Sequence, residues 1–259
     1  MFTTPISFRM IVSDLGGALE RIAQKPEVER EGAHYLARIG EIDTVEQFLA
    51  DDRVYRYAMR AHGLEDMIYA KAFMRKVLTE GIDDRESFAN SLADQRFRDF
   101  VGTFNFARYG AAATTFSRAQ QGTVDNYVRQ TLEVTAGQEN DGVRLALYFQ
   151  RRASSVTSTY SLLADKALLK VTQVALGLSE STAALDIDRQ AELISRDLDV
   201  ADLKDGAKLD RFLTRFTALW DIANPRSAGT SAPALLIAGE QAGIGLDLLR
   251  QIQDAGAGR

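Results

Sequence analysis

The stretch DGVRLALYFQRRASSVTSTYSLLADKALLKVTQVALGL, residues 141–178, decides the fold. Its second half places Tyr160, Leu163, Ala164, Ala167, Leu168, Val171, Val174, Ala175 and Leu178 at three- and four-residue spacing. That spacing is the broad apolar face of an α-helix. A second stripe, Leu162, Leu169 and Leu176, runs along the opposite side. A helix that is apolar on two sides is buried on two sides, so residues 156–178 are expected to form a central helix with others packed around it. Asp165 shares the second stripe, and a half-buried carboxylate there calls for a partner such as Arg151 or Arg152.

Outward from this segment the chain continues to read as helix. Pro26 suits a first helical turn, with Glu27, Glu29 and Glu31 near the positive end of the helix dipole. Val28, Tyr35, Leu36 and Ile39 are its expected buried face and Gly40 its stop. Residues 13–23, 64–79, 123–136, 191–198 and 210–222 are further candidates. Gly63, Gly81, Gly137 and Gly177 each follow a helical run, where a glycine ends a helix best. Pro225 falls in a loop. Ser231 and Pro233 open a final helix over 231–253. No alternating β-branched run appears, so no sheet is expected.

Two segments within 42–104 resemble each other. Ile42-Asp43-Thr44-Val45-Glu46-Gln47-Phe48 aligns with Ile82-Asp83-Asp84-Arg85-Glu86-Ser87-Phe88. In both, Asp precedes Glu by three residues, as in a capping box. An Asp-x-Arg turn follows in each, Asp51 to Arg53 and Asp94 to Arg96. Val54, Tyr57, Ala58 and Ala61 then match Phe97, Phe100, Val101 and Phe104 in spacing. The expected unit is a duplicated helical hairpin, with a faint third echo at Leu209-Asp210-Arg211-Phe212.

Composition bounds the function. The 259 residues are 46% hydrophobic and 26% charged, with a net charge of −5. Charges of both signs are interspersed, and no basic stripe suggests nucleic acid or anionic lipid. The absence of cysteine excludes disulfides, thiolate chemistry and cysteine-bound zinc. The first 25 residues lack the regions of a secretory signal, and the apolar run 232–238 is too short to span a bilayer. The sequence reads as cytoplasmic, although a signal-less export route would leave no such mark.

Candidate chemistry is sparse. Glu31 and His34 have the Glu-x-x-His spacing of di-iron bundles, but His62 has Met59 three positions before it, so the second pair is missing. His62, just before Gly63, is expected to meet the last carbonyls of its helix. Ser154, Ser155, Thr157, Ser158 and Thr159 read as a helix start rather than a nucleophile cluster. Gly239, Gly243 and Gly245 lie in a predicted helix, without a strand or a Gly-Lys-Ser/Thr, and read as a packing face. Asp186 and Asp188 begin like a calcium loop but lack its glycine and terminal glutamate. Asp199, Asp202 and Asp205 read as caps and solvated face. The dense aromatics Phe97, Phe100, Phe104, Phe106, Tyr109 and Phe116 read as core, with a lipophilic pocket as the alternative.

At Leu64-Glu65-Asp66-Met67-Ile68-Tyr69-Ala70-Lys71-Ala72-Phe73-Met74-Arg75-Lys76-Val77-Leu78-Thr79-Glu80-Gly81 the chain resembles a bacterial family of unknown function. That family occurs mostly in alphaproteobacteria and is often encoded among flagellar genes. Ala146-Leu147-Tyr148-Phe149-Gln150-Arg151 and Leu163-Ala164-Asp165-Lys166-Ala167-Leu168 extend the resemblance, which runs from about Phe8 to Trp220. It implies an all-helical protein with a flagellar connection, and it marks no catalytic or binding residue.

The resulting expectation is an all-α bundle of about ten helices, a single domain over 1–259, around the helix 156–178. Its expected role is that of a non-enzymatic interaction protein with a protein partner, such as a flagellar component. The alternative is a helical module for a small apolar ligand. No residue is assigned a catalytic, cofactor-binding or metal-binding role, no cofactor is called for, and neither nucleic acid nor membrane insertion is expected.

Overall fold

The computed structural model describes residues 2–225. The sequence reading treats 1–259 as one domain, of which the residues beyond 225 lie outside the described ones. The predicted helix 231–253, with Ser231, Pro233, Gly239, Gly243 and Gly245, lies outside the described residues.

The fold is all-α, and no strand occurs among the described residues. The first five helices are α1 (Thr4–Ser13), α2 (Leu15–Ala23), α3 (Pro26–Ile39), α4 (Val45–Ala50) and α5 (Asp52–Ala61). Next come α6 (Lys71–Glu80), α7 (Phe88–Ser91), α8 (Gln95–Thr103), α9 (Phe106–Tyr109) and α10 (Gln121–Glu139). The last five are α11 (Asp141–Arg152), α12 (Thr159–Ala164), α13 (Lys166–Leu176), α14 (Ile187–Asp197) and α15 (Gly206–Ala223). Short 3-10 turns connect several of them. The excess over the ten or so expected comes from α4, α7, α9 and α12, which span only four to six residues. Runs that short cannot display a 3.6-residue period.

Residues 156–178 are not one helix. Asp165 adopts an extended backbone, ψ 114°, and separates α12 from α13. Its carboxylate caps α13, accepting from the Ala167 amide at 2.8 Å and the Leu168 amide at 3.1 Å. That satisfies amides which would otherwise have no partner at the helix start. The partner of Asp165 is Tyr148, whose hydroxyl donates at 2.5 Å, rather than Arg151 or Arg152. The apolar period survives the break because Leu162, Leu168, Val171 and Ala175 enter the same core. Tyr160, expected to be buried, is half exposed and donates to Asp188 at 2.8 Å.

The centre of the molecule is instead the pair α10 and α11, around which two apolar cores form. One gathers Tyr35, Phe48, Met59, Leu78, Phe100 and Phe104 from α3–α8 and the turn after α8. The other gathers Phe8, Phe149, Leu162, Val171, Phe216 and Trp220 from α1 and α11–α15. A smaller cluster, with Ile22, Val28, Val128 and Leu132, packs α2 and α3 on α10. Tyr127 of α10 stacks on Tyr57, which stacks on Tyr35, with centroids 4.1 and 4.6 Å apart. Leu36, expected on the buried face of α3, is exposed.

Within 42–104, two short helices are each followed by an aspartate cap and a longer helix. Asp51 accepts from the Val54 amide and Asp94 from the Arg96 amide. The matched positions Val54, Tyr57, Ala58 and Ala61, and Phe97, Phe100, Val101 and Phe104, are all buried. The capping box of α4 is formed by Thr44 and Gln47, one residue beyond the expected Asp43 and Glu46. In the second segment the short helix has four residues and no side-chain cap. The third echo lies inside α15, which Asp205 caps through the Lys208 amide.

Gly81 and Gly177 stop their helices at φ +71° and +68°. Gly137, by contrast, sits inside α10, where an added Cβ would lie 2.7 Å from Arg144 Cδ. It serves close approach of α11, not termination. Gly142 does the same for α15: an added Cβ would lie 2.4 Å from Trp220 Cδ1. Gly142→Ala is therefore expected to destabilise the protein by about 1–3 kcal/mol through overpacking, read by urea unfolding.

Candidate functional site

Between the two cores the packing turns polar. Glu133 of α10 is 1% exposed at its side chain. A buried carboxylate requires charge and hydrogen-bond partners. The last turn of α11 supplies them: Arg151 donates from Nε at 2.7 Å and from Nη2 at 2.8 Å, a bidentate pair. Arg151 Nη2 also reaches Gln130 Oε1 at 2.9 Å. Arg129, one turn before Glu133, donates to the same carboxylate at 3.3 Å. Burial alone would lower the pKa of Arg151; the hydrogen bonds and charge of Glu133 outweigh it and hold it raised. The Arg151 guanidinium also lies 5.2 Å from the Tyr148 ring centroid.

Further polar links cross the junction. Arg152 of α11 pairs with Asp99 of α8. Gln95 of α8 donates to Ser161 Oγ of α12 at 3.1 Å. Arg96 donates to Asp94 at 2.7 Å and to the Gly63 carbonyl. A cleft of about 520 Å3 opens beside them, lined among others by Asp66, Arg96, Phe97, Tyr148, Asp165 and Lys166. Burial and the neighbouring Asp165 raise the pKa of Tyr148, so its hydroxyl stays protonated and serves as the donor.

The residues singled out from sequence are placed as follows. Glu31 is held by Arg53 through two bonds of 2.9 and 3.0 Å, which occupies the carboxylate of the Glu-x-x-His pair. Ser158 caps α12 through the Ser161 amide, and Ser155 bonds the Arg152 carbonyl. Thr159 pairs with Ser195 at 2.8 Å. Asp186 caps α14, Asp199 caps the turn at Val200–Lys204, and Asp202 pairs with Lys208. Phe100 and Phe104 are fully buried in the first core, while Tyr109 and Phe116 pair edge-on at 4.9 Å.

His62 departs from expectation. Its ring does not cap α5 but lies edge-on against Phe100 at 5.2 Å and Phe104 at 5.8 Å. The residue keeps some solvent contact, yet Nε2 is sealed and has no hydrogen-bond partner. Burial lowers its pKa to about 4, with Asp99 opposing and Arg151 and Arg152 reinforcing the shift. The unfolded chain takes up this proton near pH 6.5 and the folded chain only near 4. Stability is therefore lost as pH falls through that window. The loss approaches about 3 kcal/mol, since one pKa unit corresponds to roughly 1.4 kcal/mol. His62→Phe is expected to remove this component of the pH dependence, read by urea unfolding at pH 7 and pH 4.5.

Glu133 and Arg96 escape sequence reading. Glu133 sits between Leu132 and Val134 in an ordinary helical pattern, and its bidentate partner is 18 residues away on another helix. Arg96 reads as one half of a turn motif, with no sign that it closes over Gly63.

Two apolar cores joined through a buried ionic junction make this an all-α helical protein. The chain belongs to the family described as "Protein of unknown function (DUF1217)", which matches residues 61–209. It is similar to a protein from Agrobacterium tumefaciens, an alphaproteobacterium, whose crystal structure came from a structural genomics consortium. The identity is 47% and the TM-score 0.81, covering 86% of this chain and 94% of that one. No curated protein matches the chain. No helix among the described residues is long and apolar enough to cross a membrane.

Proposed function

We propose that this is a non-enzymatic interaction protein of the cytoplasm that assembles with a protein partner in flagellar assembly or regulation. The observation that carries the interaction reading is a surface groove of about 370 Å3 formed by Arg56, Arg60, Glu65, Ile68, Tyr69 and Lys71. Tyr69 is 84% exposed at its edge. Tyrosine and arginine dominate the energetics of protein interfaces, because each combines large contact area with hydrogen bonding. Arg56 and Arg60 pair with the exposed Asp52 and Glu65, while Lys71 pairs with Asp52 and also donates to the Leu49 carbonyl, all at 2.6 to 3.2 Å. Such pairs contribute little and are readily exchanged for those of a partner. The non-enzymatic part is supported by the commitment of Glu31, His62, Asp165, Asp186 and Asp205 to ion pairs, ring contacts and helix caps. The flagellar part rests on the resemblance carried by residues 64–81.

The test is capture of partners from cells of the native host, with wild type and Tyr69→Ala side by side. Wild type is expected to recover a flagellar component, and Tyr69→Ala to weaken its binding by about tenfold or more with an unchanged unfolding midpoint. Recovery of no flagellar component, together with normal motility of a deletion strain, would end the flagellar reading.

A further inference from the structure

The groove beside Tyr69 is open to solvent, a shape for a macromolecular segment, and its charge is one-sided. Residues 53–76 carry six Lys and Arg against two acidic residues, a net charge of +4 in a chain whose total is −5. The fold lines these cations up. Arg53, Arg56 and Arg60 recur along α5 at three- and four-residue spacing, which is one face of a helix. Lys71 and Arg75 stand one turn apart on α6. Arg56 and Arg60 of α5 and Lys71 of α6 line the same groove. Too few carboxylates answer them. Glu31 neutralises Arg53. Asp52 is shared by Arg56 and Lys71, at 2.6 and 3.2 Å. Arg56 uses Nε for this bond, and neither of its terminal nitrogens has an acceptor among the described residues. Arg75 is exposed and has no ion pair among them. Between the cations lies apolar surface, the ring of Tyr69 over the buried Ile68.

We propose that the groove takes an acidic helical segment of the protein partner, with an apolar side chain between its carboxylates. The inference rests on the reading of this groove as the partner site, and it names the chemistry of what fills it. Arg56 and Arg60 are four residues apart, about 6 Å along the axis of α5. Glutamates four apart on a second helix have the same spacing, so such a helix laid along α5 meets both guanidiniums at once. Its carboxylates replace the exposed pairs to Asp52 and Glu65, which cost little to exchange. Its apolar side chain packs on Tyr69 and Ile68. The negative charge of the rest of the chain repels an acidic segment from other faces and directs it to this one.

The full chain is titrated, by fluorescence anisotropy, into a labelled synthetic helical peptide with glutamates four residues apart and a leucine between them. Two control peptides carry glutamine or lysine in place of every glutamate. The glutamate peptide is expected to saturate at protein concentrations on the order of 10–100 µM at low ionic strength, and to bind about tenfold more weakly at about 0.3 M salt. Neither control should bind measurably. Arg56→Gln combined with Arg60→Gln should weaken the glutamate peptide by about tenfold or more, as should Tyr69→Ala, with unfolding midpoints little changed because all three side chains are exposed. No saturation by the glutamate peptide, equal binding of the glutamine peptide, or indifference to the arginine substitutions would overturn the proposal. So would tighter binding of a single-stranded oligonucleotide, or of vesicles of phosphatidylglycerol, than of the glutamate peptide. The two readings fail separately. A host partner captured through Tyr69, but indifferent to salt and to the arginine substitutions, keeps the groove as the partner site and removes the acidic segment. Absence of any Tyr69-dependent capture removes the groove itself, and this inference with it.

Discussion

Glu133→Ala is expected to destabilise the protein by about 3–5 kcal/mol, measured by urea unfolding at pH 7. The reason is what the substitution leaves behind. Arg151 has a side chain only 23% exposed, and Arg129 one only 13% exposed. Without the carboxylate, two guanidiniums face each other across the junction with Gln130 and the Leu147 carbonyl as their remaining acceptors there. Removing one member of a buried pair leaves an uncompensated charge, and that penalty exceeds the net contribution of the intact pair. An exposed pair gives the control: Arg56 and Asp52 lie 2.6 Å apart but are each about half exposed. Asp52→Ala there is expected to leave the unfolding midpoint nearly unchanged.

Phe100→Ala is the second large effect, again about 3–5 kcal/mol, because a fully buried ring is deleted from a core that cannot collapse around the gap. Phe100 contacts Phe48, Phe104 and His62, with centroids 6.2, 5.0 and 5.2 Å away. The loss of one wall also changes His62. Water admitted beside the imidazole reduces the burial that lowers its pKa, so the acid window of instability should narrow in Phe100→Ala. Unfolding at pH 7 and pH 4.5 reads both effects in one experiment.

The helices were legible where local chemistry decides them. Pro26 and the glutamates after it open α3, and Gly81 and Gly177 close their helices with positive φ, which other residues resist. The break at Asp165 was not legible, because an aspartate inside an apolar period reads equally as a half-buried surface residue or as a cap. Only the extended backbone at that residue decides between them. Gly137 shows the same limit: a glycine that ends a helix and one that lets another helix approach look alike in sequence. His62 read as a cap from its neighbour Gly63, but its environment comes from Phe100 and Phe104, some forty residues on. The ionic junction was hidden for the same reason, since Glu133, Arg151, Arg152 and Asp99 come from three helices.

That junction is what holds the two greasy halves of the molecule in register, and a double-mutant cycle between Glu133 and Arg151 measures it directly. Urea unfolding of Glu133→Ala, Arg151→Ala and the double variant is expected to give a coupling energy of about 2–3 kcal/mol, the double variant being scarcely worse than the worse single one. Losses that add to within about 0.5 kcal/mol would mean that the two side chains act independently, and the junction would not be the joint described here.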